Sequence, residues 1–96
     1  MTGIDDDKID AAIVTLTRER GPDRTACPSE IARGFAGADA REWRRLMKPI
    51  RARAVALAAA GRISIRRKGR IVDPHDFKGV YRLGTPAAPA ITEEDE

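Results

Sequence analysis

Eleven cations crowd between positions 41 and 70: Arg41, Arg44, Arg45, Lys48, Arg51, Arg53, Arg62, Arg66, Arg67, Lys68 and Arg70. Glu42 is the single acid among them, so this stretch carries a net charge of +10. Such groups suit phosphate, because a guanidinium offers a planar fork of donors and an ammonium a compact positive charge. The flanks are opposite in sign. Residues 1–40 hold five bases and eight acids, and residues 71–96 hold two bases and six acids. The chain's overall +3 and pI near 9.5 conceal that separation. Charge runs are usually solvated faces, but eleven bases against one acid is more lopsided than solubility alone needs.

Other groups capable of chemistry are few. Cys27 is the only cysteine and His75 the only histidine. A thiol at a helix N-terminus can have a lowered pKa, but no second cysteine or histidine lies near Cys27 in sequence, so a small, partly buried residue is the expected role. His75 stands in Asp73-Pro74-His75-Asp76, a turn, where an exposed histidine is ordinary. The two would form a nucleophile–base dyad only if folding brought them within hydrogen-bond reach. Asp5, Asp6 and Asp7 fit the start of a helix, and no second acidic cluster makes them a metal site. With no phosphate-cradling glycine loop, metal-ligand spacing or nucleophile motif, no enzyme activity, cofactor or metal is expected, and no small-molecule pocket is evident.

The elements that position the cations read as follows. Ile9, Ala12, Ile13 and Leu16 form an apolar stripe on a first helix, Asp5 to Arg20, stopped by Gly21-Pro22. Asp23 to Ala26 is a connector able to hold a short strand. A second helix runs from Pro28 to Phe35, with proline at its first position and Gly37 ending it. Asp39-Ala40-Arg41-Glu42 fits a capping box. Trp43, Leu46, Met47, Ile50, Ala54, Leu57 and Ala58 then span about 120° of one helical face. Arg41, Arg44, Arg45, Lys48 and Arg51 fall on the far side, between about 80° and 200° from Trp43. Trp43 is expected as a core anchor. Pro49 lacks an amide and clashes with the preceding turn. It divides the stretch into a short helix, Asp39 to Met47, and a second from Pro49 to Ala60, with Lys48 pushed out of helical geometry. Arg62 to Arg67 alternates as a half-buried strand, with Ile63 and Ile65 inward and Ser64 and Arg66 outward. Lys68-Gly69 is a turn, after which Arg70-Ile71-Val72 either continues a hairpin or begins a loop. The last strand is Gly79 to Leu83.

Ninety-six residues make one small domain. The expected plan is a flexible N-terminus at 1–4, a folded domain at 5–83, and a disordered acidic tail at 84–96. With no apolar run long enough to span a membrane, no signal segment and no disulfide, the composition points to the cytoplasm.

Three or four helices followed by a two- or three-stranded hairpin is an α+β, mainly α, winged helix-turn-helix plan. The stretch Cys27-Pro28-Ser29-Glu30-Ile31-Ala32, then Trp43-Arg44-Arg45-Leu46-Met47, the Gly61-Arg62-Ile63 junction, Lys68-Gly69-Arg70 and Val72-Asp73-Pro74 resembles a small bacterial domain family of unknown function, over about residues 8–83. The resemblance implies a winged helix and brings no activity with it. Against better-known winged helices, Ile50, Ala54 and Leu57 occupy the core positions of the recognition helix. The helix from Asp39 to Met47 would then be an insertion in the usual turn.

The exposed face of that recognition helix would hold Arg51, Ala52, Val55, Ala56 and Ala59. It lacks the Asn, Gln, Ser and Thr that commonly meet base edges. The expected partner is double-stranded DNA, bound by a transcriptional regulator or a low-specificity binder whose recognition helix enters the major groove. Arg41, Arg44, Arg45, Lys48 and Arg51 would meet phosphates from the helix, and Arg66, Arg67, Lys68 and Arg70 would contact phosphate or the minor groove from the wing. The alternative is a protein-interaction module, for which alanines exposed together would be the sign. Nothing in the sequence specifies a dimer.

Overall fold

The computed structural model describes residues 5–86. Its elements are α1 (Asp6–Arg20), α2 (Pro28–Ala36), α3 (Ala40–Trp43), a 3-10 turn (Arg44–Leu46), α4 (Met47–Ala59), β1 (Ser64–Arg67), β2 (Arg70–Ile71) and β3 (Arg82–Gly84). The chain is thus α+β and mainly helical. A three-stranded antiparallel sheet of order β2-β1-β3 follows the helices, a layout compatible with a winged helix. The connector strand expected near Asp23–Ala26 is a single bridge. Ala26 and Leu83 exchange both backbone hydrogen bonds, each at 2.8 Å.

The core is built from the stripes read in the sequence. Ile9 and Ile13 of α1, Ile31 and Ala32 of α2, and Ile50, Ala54 and Leu57 of α4 meet Ile63, Ile65, Tyr81 and Leu83 from the sheet side. Trp43, Leu46 and Met47 pack against this cluster while partly exposed, so Trp43 is an anchor at the edge of the core. One bidentate ion pair ties α1 to α4. Asp10 accepts from Arg53 Nε and Nη2 at 2.8 and 2.9 Å.

Pro49 acts differently from expectation. The change of helical geometry comes before it, in the 3-10 turn at Arg44–Leu46, and Lys48 is helical. The proline then sits in the first turn of α4, where amides lack intrahelical partners in any case, so its missing N–H costs little. α4 ends on Gly61, with φ of +78°. Gly61 N–H donates to the Ala58 carbonyl and Arg62 N–H to the Leu57 carbonyl, a Schellman closure.

The helix starts also depart from expectation. Asp39 Oδ1 accepts from Arg41 N–H at 2.9 Å, but Glu42 makes no reciprocal bond among the described residues. The back-reaching carboxylate stands at α2 instead, where Glu30 accepts from Cys27 N–H at 3.4 Å. Arg20 hydrogen-bonds the same carboxylate and holds its pKa below the usual glutamate range.

Arg70-Ile71 continues the hairpin, paired to Arg67 and Arg66. Lys68 and Gly69 both have positive φ, at 52° and 80°, as a tight turn between right-twisted strands requires. The last strand falls at Arg82–Gly84 rather than Gly79–Leu83. Gly84 pairs with Ser64, and the Thr85 carbonyl accepts from Ser64 Oγ at 2.6 Å. The fold therefore runs past residue 83, the boundary read from the sequence. The proposed flexible N-terminus and the acidic part of the tail lie outside the described residues. Ser64, expected outward, is buried at 4% exposure beneath the Arg66 side chain.

Tyr81 is the only tyrosine and is 8% exposed. Its hydroxyl has no hydrogen-bond partner among the described residues. Burial pushes the phenol's pKa up, against the opposing effect of Arg51. Because the folded value is raised, folding favours the protonated phenol. That contribution is complete below the unfolded value near pH 10 and is lost as pH rises through the folded value. A spectrophotometric titration of the native chain is expected to show phenolate appearing above the ordinary tyrosine range. Tyr81→Phe removes an unpartnered polar atom, so its unfolding free energy from urea denaturation should equal or exceed the parent's, by up to about 1–3 kcal/mol. A clear loss of stability would mean that the hydroxyl is satisfied after all.

Candidate nucleic-acid interface

The described residues contain all eighteen bases of the chain but only eleven of its fifteen acids. Within positions 41–70, and among the described residues, Arg53 alone pairs with a carboxylate. The remaining cations divide into two groups that differ in what holds them.

Arg41, Arg44, Arg45 and Lys48 are exposed along α3, the 3-10 turn and the start of α4. Their spacing keeps them on one side, opposite the residues that pack on the core. Arg44 lies over the Trp43 ring at 5.8 Å, and Arg33 of α2 approaches the same ring at 5.5 Å. The indole therefore gathers a cation from each of two helices. Arg33 was not expected here, since its place in sequence is remote from the basic stretch and nothing local marks it. At the hairpin tip, Lys68 and Arg70 are also exposed.

Arg51, Arg66 and Arg67 are engaged with the protein itself. Arg51 stacks over Phe77 at 4.1 Å and donates to the Phe77 carbonyl at 3.1 Å. Phe77 meets Tyr81 edge to face at 5.3 Å. Arg67 Nε donates to the Val80 carbonyl at 2.8 Å. Its guanidinium passes so close to Gly79 that a Cβ there would lie 3.2 Å from Nη2. These two arginines pin the segment between β2 and β3 at Phe77 and at Val80, one from α4 and one from the wing. Exposed Lys78 lies between the two pinned points. Helix and wing are thereby joined through a loop that itself carries a cation.

Arg66 makes the most contacts. It donates to Ser64 Oγ at 3.0 Å, to the Pro22 carbonyl at 3.3 Å and to the Thr85 carbonyl at 3.2 Å. The guanidinium lies flat across Gly84, where an added Cβ would sit 2.7 Å from Nε. Carbonyl dipoles fix the direction of a guanidinium without cancelling its charge, in contrast to the carboxylate on Arg53. The nine sequence-derived residues thus comprise six exposed cations and three that also brace the fold.

The sequence's other candidates are Cys27 and His75. Cys27 Sγ lies 3.0 Å from Ser29 Oγ. His75 is exposed in a turn in which Asp73 Oδ1 accepts from its N–H at 2.9 Å. No hydrogen bond joins Cys27 to His75 among the described residues. On α4, Ala52, Ala56, Ala59 and Ala60 are exposed along one ridge, Val55 is half-buried, and Arg51 is turned to Phe77. Among the described residues no helix is long and apolar enough to cross a membrane.

Comparison with protein families gives a match over most of the chain. The family described as "Protein of unknown function (DUF3253)" covers residues 6–86. No curated protein matches the chain.

Gly84→Ala is expected to displace the Arg66 guanidinium and cost about 1–3 kcal/mol through the bonds it breaks. In an Arg66→Gln background the same change should cost far less. Urea denaturation of the two single variants and the double variant measures this coupling, and additive losses would separate Gly84 from Arg66.

Proposed function

For a chain that belongs to this family, which carries no assigned activity, we propose binding of double-stranded DNA through phosphates, with little sequence selectivity. The observation that carries this reading is the set of exposed cations that meet no carboxylate among the described residues, on the helical face and the hairpin tip, linked by the pinned loop. Arg41, Arg44, Arg45 and Lys48 contact the backbone from one side, and Lys68 and Arg70 reach it from the wing. Arg51, Arg66 and Arg67 act mainly by holding the loop and sheet in place. The exposed ridge of α4 offers alanine methyl groups, which can meet a thymine methyl but leave most base edges unread. Low-specificity binding follows from that, rather than recognition of one operator.

If about six cations each neutralise a phosphate, the logarithm of affinity should fall against the logarithm of salt concentration with a slope of about −5. Arg44→Ala combined with Arg45→Ala should reduce that slope by about 2 and weaken binding alike on unrelated duplexes. Fluorescence anisotropy on labelled duplexes across a salt series measures both. No binding at low salt would remove the proposal.

A second reading, a protein-docking module, draws on the same alanine ridge, since Ala52, Ala56, Ala59 and Ala60 are exposed side by side. Each of these residues offers a single methyl group, whereas an exposed apolar surface that signals a partner usually spans a few hundred Å². This reading becomes the stronger one if the duplex assay is negative.

A further inference from the structure

Four arginines from four separate parts of the chain line one solvent-open cleft of about 500 Å³. Arg20 ends α1, Arg24 lies in the connector, and Arg66 and Arg82 stand on β1 and β3. Asp23 and Gly69 complete the rim. Arg66 and Arg82 are direct cross-strand partners, an arrangement that is unfavourable for like charges unless something intervenes. Among the described residues neither meets a carboxylate.

Backbone and hydroxyl oxygens hold these groups instead. The Thr25 carbonyl accepts from Arg20 at 3.0 Å and from Arg82 at 3.2 Å, and Arg82 Nε also donates to Thr25 Oγ1. Arg66 is held by Ser64, Pro22 and Thr85 and lies across Gly84. A guanidinium has five N–H donors. Arg66 spends three of them in these bonds and Arg82 two, so both retain N–H groups for a ligand. The Arg24 side chain is exposed and makes no hydrogen bond to the described residues. Glu30 offsets Arg20. That leaves Arg24, Arg66 and Arg82 facing Asp23, a local excess of two positive charges in a scaffold already oriented by the backbone.

We propose that this cleft is an oxyanion site for a phosphate-class dianion, held by Arg24, Arg66 and Arg82. Planar forks arranged around a shared cleft suit the tetrahedral oxygens of a phosphoryl group. The site does not rest on the DNA-binding reading, since Arg24 and Arg82 lie outside the 41–70 stretch. The shared chemistry is a phosphoryl group, supplied either by a small phosphate compound or by a nucleic-acid backbone.

The test is calorimetric titration of the full chain with inorganic pyrophosphate, against sodium chloride at equal ionic strength. Pyrophosphate should bind where chloride does not. Arg24→Gln and Arg82→Gln should each weaken it at least threefold, while Arg62→Gln, an exposed change outside the cleft, should leave it unchanged. Because Arg82 also braces Thr25, Arg24→Gln carries the test if the Arg82 variant fails to fold. A labelled duplex is titrated in parallel. Weakening of both ligands by Arg24→Gln identifies a nucleic-acid backbone as the source. Weakening of pyrophosphate alone identifies a small phosphate compound. Pyrophosphate binding no better than chloride, or equal losses in Arg24→Gln and Arg62→Gln, overturns the site. Pyrophosphate binding without duplex binding would leave the site standing and remove only the DNA reading.

Discussion

One backbone pairing joins the connector after the first helix to the last strand. Leu83 is fully buried on β3, with Ile65 on one side in the sheet and Ala26 on the other. The Ala26 bridge brings the connector after α1 against the strand that closes the fold. Both partners of that bridge are fully buried, so their backbone groups must find partners within the protein. This antiparallel closure sets the register at which Arg66 meets Arg82, and it places Thr25 between Arg20 and Arg82. The positions of the charged side chains on the sheet follow from a constraint located in the core.

The arginines use a consistent device. A carboxylate would hold a guanidinium in place and also neutralise it. In Arg51, Arg66, Arg67 and Arg82, carbonyl and hydroxyl oxygens and aromatic faces take that place. The fold is braced while the surface stays positive. Arg53 is the counterexample, clamped to Asp10 between α1 and α4, and it contributes to helix packing rather than to the field outside. The long arginine stem adds packing area in each case, so these residues serve stability and surface charge together.

Pro49 and Ser64 show how local reading and tertiary structure diverge. The proline's steric demand was legible, but not where the chain would accommodate it. The change of geometry falls before the proline, in the 3-10 turn, and the proline itself sits in the first turn of α4. Ser64 follows the alternation of its strand and faces outward from the core. It is buried nonetheless, because a long side chain from its own strand folds over it.

The amino-acid sequence alone determined the apolar stripes, the glycine-stopped helices, the hairpin turn at Lys68-Gly69 and the concentration of cations between 41 and 70. Each of these depends on spacing within a few residues, which helical and strand periodicity converts directly into a face. Only the tertiary structure decided which cations remain exposed and which are spent on carbonyls, and that Arg20, Arg24, Arg66 and Arg82 share a cleft. Those outcomes depend on contacts between residues as far apart as Thr25 and Arg82. Strand register and the reach of long side chains set such contacts, and neither is encoded in any local pattern.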